Sequence, residues 1–391
     1  MTQDPPTIRG RSILLWLAGN ALRLTILAVP PVIALVRDDL GLNATQVGLL
    51  SSIPPAFFAL AALAGSLLVA RLGLMRALIG GLLVIAIGGA LRGASPNYIT
   101  LLLATIFMSI GVAIMQPIMP SAVRQWVPHR IGLGTAVYTN GVLVGEVLPV
   151  WLTIPLVLPM VSGAWRPALA VWSIPVVLIA IVIAWFAPRG GDARGQDERP
   201  TKWQPDWHYG LVWRLGALFL GITSLYFTTN AFLPIYLKSA GREDLISTAL
   251  TALNLGQLPA SFLLVALAGR VERRAWPYVV SGAVSLACVA GIVFMTGRWT
   301  VVWAGLLGFS DAAAFILALT LPPLLCRAED VARTAAGTFT LCYGGAVLVA
   351  ILSGLAWDLT GVPAMAFIPV AGCALLLTVM PAVMRRASDL S

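Results

Sequence analysis

Long apolar runs separated by short polar breaks recur from one end of the chain to the other. They fall near 12–36, 45–70, 76–92, 98–124, 131–158, 166–187, 211–237, 245–269, 276–296, 299–326, 332–357 and 361–384, twelve in all. Crossing a hydrocarbon core about 30 Å thick takes roughly 20 helical residues, so each run is a candidate membrane span. None alternates with a period of two, and unpaired backbone groups are too costly in lipid for open strands. The pattern therefore predicts helices.

One long polar connection, PRGGDARGQDERPTKWQPDWHYG at 188–210, follows the sixth run and is rich in Gly, Pro and charge. It reads as a cytoplasmic linker between two six-helix bundles, 1–187 and 211–391. The halves also resemble each other. An offset of 203 carries Pro31 onto Pro234, Arg124 onto Arg327, Gly134 onto Gly337 and Gly141 onto Gly344, and at 204 the AALAG ending at Gly65 matches the VALAG ending at Gly269. The expected fold class is an all-α membrane protein of twelve transmembrane helices in two pseudo-symmetric bundles. Duplicated halves of this kind mark a rocker-switch carrier whose substrate site lies at the midplane between them.

Composition agrees with that picture. The chain is 59% hydrophobic and 10% charged, with a mean hydropathy of +0.91, which excludes a water-soluble globular domain. A net charge of +9 raises nucleic acid as a partner, but the basic residues sit in short loops, where bilayer orientation explains them. With the N-terminus cytoplasmic, eighteen of the 25 Lys and Arg residues fall on that side. The other side has Arg37, Arg92, Arg166, Lys238, Arg242 and Arg298, and Arg23 lies inside the membrane. Both termini are therefore expected in the cytoplasm of a cell whose inner membrane holds the protein. The leading MTQDPPTIRGR precedes a long apolar run ended by Pro-Pro, with no small-residue cleavage site, so the first run reads as a retained span.

Several chemistries find no support. Cys288, Cys326, Cys342 and Cys373 form no CxxC and no regular spacing, so neither a disulfide framework nor a thiolate metal site is suggested. The two histidines, His129 and His208, fall in loops, and Lys202 and Lys238 follow Thr201 and Leu237, so no Gly-Lys phosphate loop exists. No cofactor and no enzymatic activity are expected. The expected partners are a small, anionic substrate, protons and the lipid bilayer, with no nucleic acid and the protein as a monomer.

Three charged side chains lie deep in apolar runs. At a rise of about 1.5 Å per residue, Arg23, Glu146 and Asp311 each come close to the midplane of their spans. All three break the internal repeat, since offset 203 pairs Arg23 with Tyr226, Glu146 with Val349 and Met108 with Asp311. Arg23 reads as a fixed cation for an anionic substrate group, because guanidinium offers planar, bidentate donors and keeps its charge when desolvated. The alternative is a permanent ion pair with Glu146 or Asp311 that fixes helix packing. Glu146 and Asp311 read as proton carriers. Burial disfavours a charged carboxylate and a nearby guanidinium favours it, so an anion arriving at Arg23 would change the proton affinity of a neighbouring acid.

Polar residues on the same spans supply the rest of a candidate substrate site. Gln116 lies on the fourth span. Tyr226 and Asn230, one turn apart, share a face of the seventh, and Asn254 and Gln257 share a face of the eighth. Phe315, one turn after Asp311, is placed to wall the pocket. Each is equally readable as an interhelical hydrogen bond or as packing. Pro30-Pro31, Pro54-Pro55 and Pro322-Pro323 mark kinked gating helices or tolerated breaks.

LRLTILAVPPVIALVRDDLGLN in and after the first span, GVAIMQPIMPSAVRQW in the fourth, and FLPIYLKSAG followed by TALNLGQLPASFL in the seventh and eighth carry a resemblance. Over nearly its whole length the chain resembles the major facilitator superfamily, and within it the cyanate permease and nitroimidazole transporter family. That resemblance implies a secondary carrier of cyanate-like anions or nitroimidazole-like heterocycles, working by alternating access and coupled to protons. There are departures. GSLLVARLGLMR lacks the acidic residue of the superfamily's loop after the second span. Gly132, Gly141 and Gly145 have spacings similar to the antiporter glycine motif, but Glu146 stands where that motif has proline. SDAAAFILALTLPP replaces the family's Gly-x-x-Gly-Gly-x-Phe-Pro, so Asp311 is not carried over from it. Two other readings remain open: a drug:proton antiporter using Glu146 and Asp311, and a sensor or channel on the same fold.

Overall fold

The computed structural model of the chain describes residues 8–188, 207–266, 274–319, 321–326 and 331–388, with side chains described except at 61–72, 117, 131–132, 264–266, 323–324, 331–333 and 382–388. The polar connection expected at 188–210 lies almost wholly outside these residues. All regular structure among them is helical. Ten helical stretches are long and apolar enough to cross a membrane. The other two expected spans are also helical. The second is Ala44–Leu72, and the eighth is the pair Ile246–Leu255 and Gln257–Ala266, broken at Gly256.

By their internal contacts the residues fall into two units. Unit 1 takes residues 1–32 and 60–197, and unit 2 takes 33–59 and 198–391. The helices of the first run are α1 (Ile8–Leu27), α2 (Val29–Leu40), α3 (Ala44–Leu72), α4 (Leu74–Gly93), α5 (Tyr98–Trp126) and α6 (Ile131–Leu152); a π-helical turn over Thr153–Val157 then leads to α7 (Leu158–Met160), α8 (Trp165–Val171) and α9 (Ser173–Phe186). The second run has α10 (Gly210–Ser239), α11 (Ile246–Leu255), α12 (Gln257–Ala266), α13 (Trp276–Phe294), α14 (Trp299–Leu319), α15 (Leu321–Leu325), α16 (Val331–Thr360) and α17 (Ile368–Ser388).

Local chemistry explains the breaks. The first span splits at Ala28 because Pro30 and Pro31 offer no N–H to the carbonyls one turn earlier, and both prolines then sit in the first turn of α2, where that loss is harmless. Pro322 likewise falls in the first turn of α15. Between α3 and α4 the link is the single residue Gly73, whose φ of 75° is left-handed and free of cost only without a Cβ.

The segment 33–59 is fastened inside unit 2. Asp358 on α16 accepts from the Ala44 amide at 2.9 Å, the Thr45 amide at 2.8 Å and the Thr45 hydroxyl at 2.5 Å, satisfying the first donors of α3. Lys238 pairs with Asp38, and the Arg37 guanidinium lies 4.7 Å over the Trp357 ring. A Cβ at Gly354 would come 2.5 Å from the Thr45 Cα, so glycine lets α3 and α16 touch backbone to backbone.

The outer surface is apolar. Leu103, Phe186, Phe294 and Leu359 are exposed, as are Trp185, Trp213, Trp276 and Trp299 close to helix ends. Such a surface is a liability in water and suits contact with lipid, with tryptophans at the interfacial level. Cys288, Cys342 and Cys373 are buried packing residues and Cys326 is half-buried, all with free thiols.

Candidate substrate and coupling site

Within unit 1 the site is built on the seam between α1 and α6. Gly19 on α1 faces the Tyr138 carbonyl, and Gly141 and Gly145 on α6 face the carbonyls of Trp16 and Asn20. A Cβ at Gly145 would stand 2.5 Å from the Asn20 oxygen, and one at either of the other two glycines would collide outright. Three glycines thus let two backbones meet, as small residues do at close helix crossings in membranes. Glu146 follows Gly145 directly and Arg23 lies one turn beyond Asn20, so the seam brings their side chains together. Arg23 Nε stands 3.3 Å from Glu146 Oε1, with the two side chains 12% and 7% exposed.

That is the ion pair the sequence offered as the alternative for Arg23. It is made through Nε, the inner nitrogen of the fork, and it joins Arg23 to Glu146. The Tyr138 side chain lies within electrostatic reach of Arg23. Trp16 Nε1 donates to Asn140 Oδ1 at 2.9 Å, which ties the seam down about two turns before the pair, and Asn20 Nδ2 donates to the Trp16 carbonyl within α1 at 3.1 Å. Gln116 stands half-buried on α5, and among the described residues no hydrogen bond joins it to Arg23 or Glu146.

Unit 2 gathers three of the expected polar residues into one network. Tyr226 donates its hydroxyl to Asn254 Oδ1 at 2.8 Å. Asn254 Nδ2 donates to Asn230 Oδ1 at 2.9 Å, and Asn230 Nδ2 closes the ring on the Tyr226 carbonyl at 3.0 Å. Asn254 Nδ2 also reaches the Leu250 carbonyl at 2.9 Å. All three side chains are buried. Gln257 is buried at the start of α12, past the break at Gly256, where a Cβ would run into the Gly305 carbonyl. Asp311 is buried on α14, one turn beyond Gly308, and Gly308 packs against the Leu253 carbonyl next to Asn254.

An aromatic chain adjoins this network, and reading single positions missed most of it. Tyr226 meets Phe227 edge-on at 5.1 Å. Phe58 touches Phe227 and Tyr343 at 6.2 and 5.2 Å, and Tyr343 stacks on Phe339 at 6.1 Å. Phe219 then links Phe339, at 5.6 Å, to Phe315, at 5.9 Å. Phe315 is therefore part of an aromatic wall. The spacing of Phe339 and Tyr343, one turn apart on α16, was the signal available in the sequence.

Comparison with known proteins decides the family. The model of the Major Facilitator Superfamily matches residues 14–243, more than half of the chain. The chain belongs to the Major Facilitator Superfamily. Its relatives include the cyanate transport protein CynX of Escherichia coli (strain K12), 27% identical over 354 residues, 89% of this chain and 86% of that protein. The 2-nitroimidazole transporter of the same strain is 26% identical over 341 residues, 84% of each. These relatives bear out the resemblance drawn from the short motifs. A solved structure of the nucleoside transporter NupG superposes with a TM-score of 0.77 at 13% identity, covering 96% of this chain and 99% of that one, which shows the shared fold. This Major Facilitator Superfamily protein is a multi-pass membrane transporter of small molecules, not an enzyme.

Proposed function

We propose that the chain is a proton-coupled carrier of a small anion or compact polar heterocycle, cyanate-like or nitroimidazole-like, with Arg23 as the anion site and Glu146 as its exchangeable counter-ion. The observation that carries this reading is the ion pair through Nε, 3.3 Å long, between two almost wholly buried side chains inside a membrane span. Its relatives CynX, a cyanate transport protein, and the 2-nitroimidazole transporter suggest the substrate class.

The mechanism follows from charge. In the empty carrier Arg23 and Glu146 neutralise each other. An incoming anion competes for the guanidinium and displaces the carboxylate, and a carboxyl left buried without its cation takes up a proton. The loaded site, guanidinium with anion and a neutral Glu146, again carries no net charge. An anion bound without the proton would leave one negative charge to move against an inside-negative potential, at about 2.3 kcal/mol per 100 mV. Both neutral states cross and the charged one does not, so one proton accompanies each anion. Asp311 is the second candidate proton carrier. Gln116, Asn254, Gln257 and the aromatic wall with Tyr226, Asn230 and Phe315 contribute shape and hydrogen bonds to the substrate. The functional halves are 1–187 and 211–391, joined by 188–210 with both termini cytoplasmic, in the inner membrane and as a monomer.

Uptake of labelled cyanate or 2-nitroimidazole by proteoliposomes is the test. An imposed pH gradient, acid outside, should drive accumulation, and a potassium–valinomycin potential alone should not. Transport by Arg23→Gln at the parental rate would sink the anion site. The efflux alternative rests on there being two buried acids, Glu146 and Asp311. Hypersensitivity of a deletion strain to lipophilic cations would favour it.

A further inference from the structure

Counting charges along the sequence places Arg92 among the loop residues that flank a span, but packing does otherwise. Arg92, next to last in α4, is 1% exposed and among the largest fully buried side chains. Its Nη2 donates to the Thr25 carbonyl on α1 at 2.5 Å, and among the described residues its Nε has no hydrogen-bond partner. Among the described residues no carboxylate pairs with it. Glu146 is the only described acid of unit 1, and it is held by Arg23. The offset of 203 puts Met295 at the equivalent place, so the repeated scaffold does not demand a cation there.

Two hydroxyls on neighbouring helices are also buried and, among the described residues, without a hydrogen bond: Thr25 Oγ1 on α1 and Ser173 Oγ at the start of α9. Gly89 admits them. It lies three residues before Arg92, on the same face of α4, and a Cβ there would run into Ser173 Oγ and come 3.1 Å from Thr25 Cγ2. A second guanidinium flanks this end of α4, since Arg166 Nε donates to the Ser95 carbonyl at 2.9 Å and the Arg166 backbone oxygen would sit 2.6 Å from a Cβ at Gly93. Three helices thus bring Arg92, Thr25 and Ser173 to the same stretch of α4, where the Thr25 carbonyl is the acceptor that Arg92 uses. A buried cation without a counter-charge is costly. Water would fill hydrogen bonds and leave the charge, whereas an anion accepts from every one of these donors and cancels it.

We propose that unit 1 holds a small monovalent anion, of halide or cyanate size, between α1, α4 and α9 on Arg92, Thr25 and Ser173. The site is separate from the one at Arg23. Two residues apart on α1, Arg23 and Thr25 point to opposite flanks of the helix, one toward α6 and the other toward α4. The site goes beyond the anion-carrier reading and does not rest on it. Its occupant is either a resident halide or the transported type of anion, and the choice of salt distinguishes them.

The experiment uses the purified full chain in detergent at constant ionic strength. Replacing chloride by gluconate should lower the melting temperature of the parent by several degrees, and bromide should restore it. Restoration by cyanate as well admits the transported type of anion, and failure of cyanate alone makes the site a halide site; both outcomes support it. Thr25→Val combined with Ser173→Ala should raise the half-maximal chloride concentration at least ten-fold, and Arg23→Gln should leave it unchanged. Arg92→Met should abolish the response; if that variant does not fold, the hydroxyl pair carries the test. The inference is overturned if the parent is indifferent to chloride, or if Arg23→Gln removes the response and the hydroxyl variant keeps it. Bromide soaked into crystals should scatter anomalously within hydrogen-bond reach of Arg92 Nε, and an absence of bromide there would equally refute it.

Discussion

Arg23 and Tyr226 stand 203 residues apart at equivalent places in the two halves, yet Arg23 meets a carboxylate across the α1–α6 seam and Tyr226 an amide on α11. The seams themselves differ. Gly141 and Gly145 press on the carbonyls of Trp16 and Asn20, whereas on α10 and α16 Gly216 and Gly345 face the side chains of Leu341 and Leu220. The first half brings backbone against backbone one residue before Glu146, whereas in the second Gly344, at the place of Gly141, meets nothing within 4 Å and Val349 stands where Glu146 does. One half therefore carries a buried charge pair, the point of exchange in the proposed cycle. The other carries a neutral ring whose donors and acceptors already serve one another.

Substitutions should break this contrast in a definite order. Arg23→Gln is expected to act most strongly, cutting pH-driven uptake by at least about 100-fold, since it removes a charged contact of the kind worth about 3 to 5 kcal/mol when one buried partner is lost. Proteoliposome flux measures it. Glu146→Gln should separate coupling from binding: the loaded site stays neutral and the empty one becomes cationic, so counterflow exchange persists while net uptake under a pH gradient falls at least about ten-fold. Undiminished net uptake would remove Glu146 from the proton path. Gly145→Val should part α1 from α6 and weaken both the pair and the fold by roughly 1 to 3 kcal/mol of overpacking, visible as a lower melting temperature with reduced flux. Tyr226→Phe leaves Asn254 Oδ1 without its donor at a cost of about 1 kcal/mol, and should shift KM more than the maximal rate. The smallest effect belongs to Phe315→Leu, below about 1.5 kcal/mol for one edge-on aromatic contact, read as a few-fold change in affinity for a heterocyclic substrate and none for cyanate.

Much of this was legible in the chain. The spans could be located because apolar run length is a property of sequence alone, and the structure returns their bounds within a few residues. Arg23 and Glu146 announced themselves as charges inside such runs. That they pair could not be read, because nothing in the spacing of α6 says which carbonyls of α1 its glycines touch. Gly141 and Gly145 were visible only as a resemblance to an antiporter motif, and their physical task emerged with Trp16 and Asn20 beside them. Asn230 and Asn254 were chosen for polarity; their closure through Tyr226 depends on the approach of α10 to α11. Arg92 shows the limit most clearly. Charge counting treats every arginine near a span end alike, and burial by α1 and α9 is a tertiary fact.

The fastening of residues 33–59 bears on how this protein can be divided. A cut in the polar connection looks like a natural way to make two separately expressed fragments, 1–187 and 211–391. The first fragment would then carry a hairpin whose Arg37 has lost Trp357, whose Asp38 has lost Lys238, and whose helix α3 begins with amides that Asp358 no longer receives. Complementation by the second fragment would have to recapture that hairpin before either piece was whole, so the two genes should be expressed together rather than mixed as purified products.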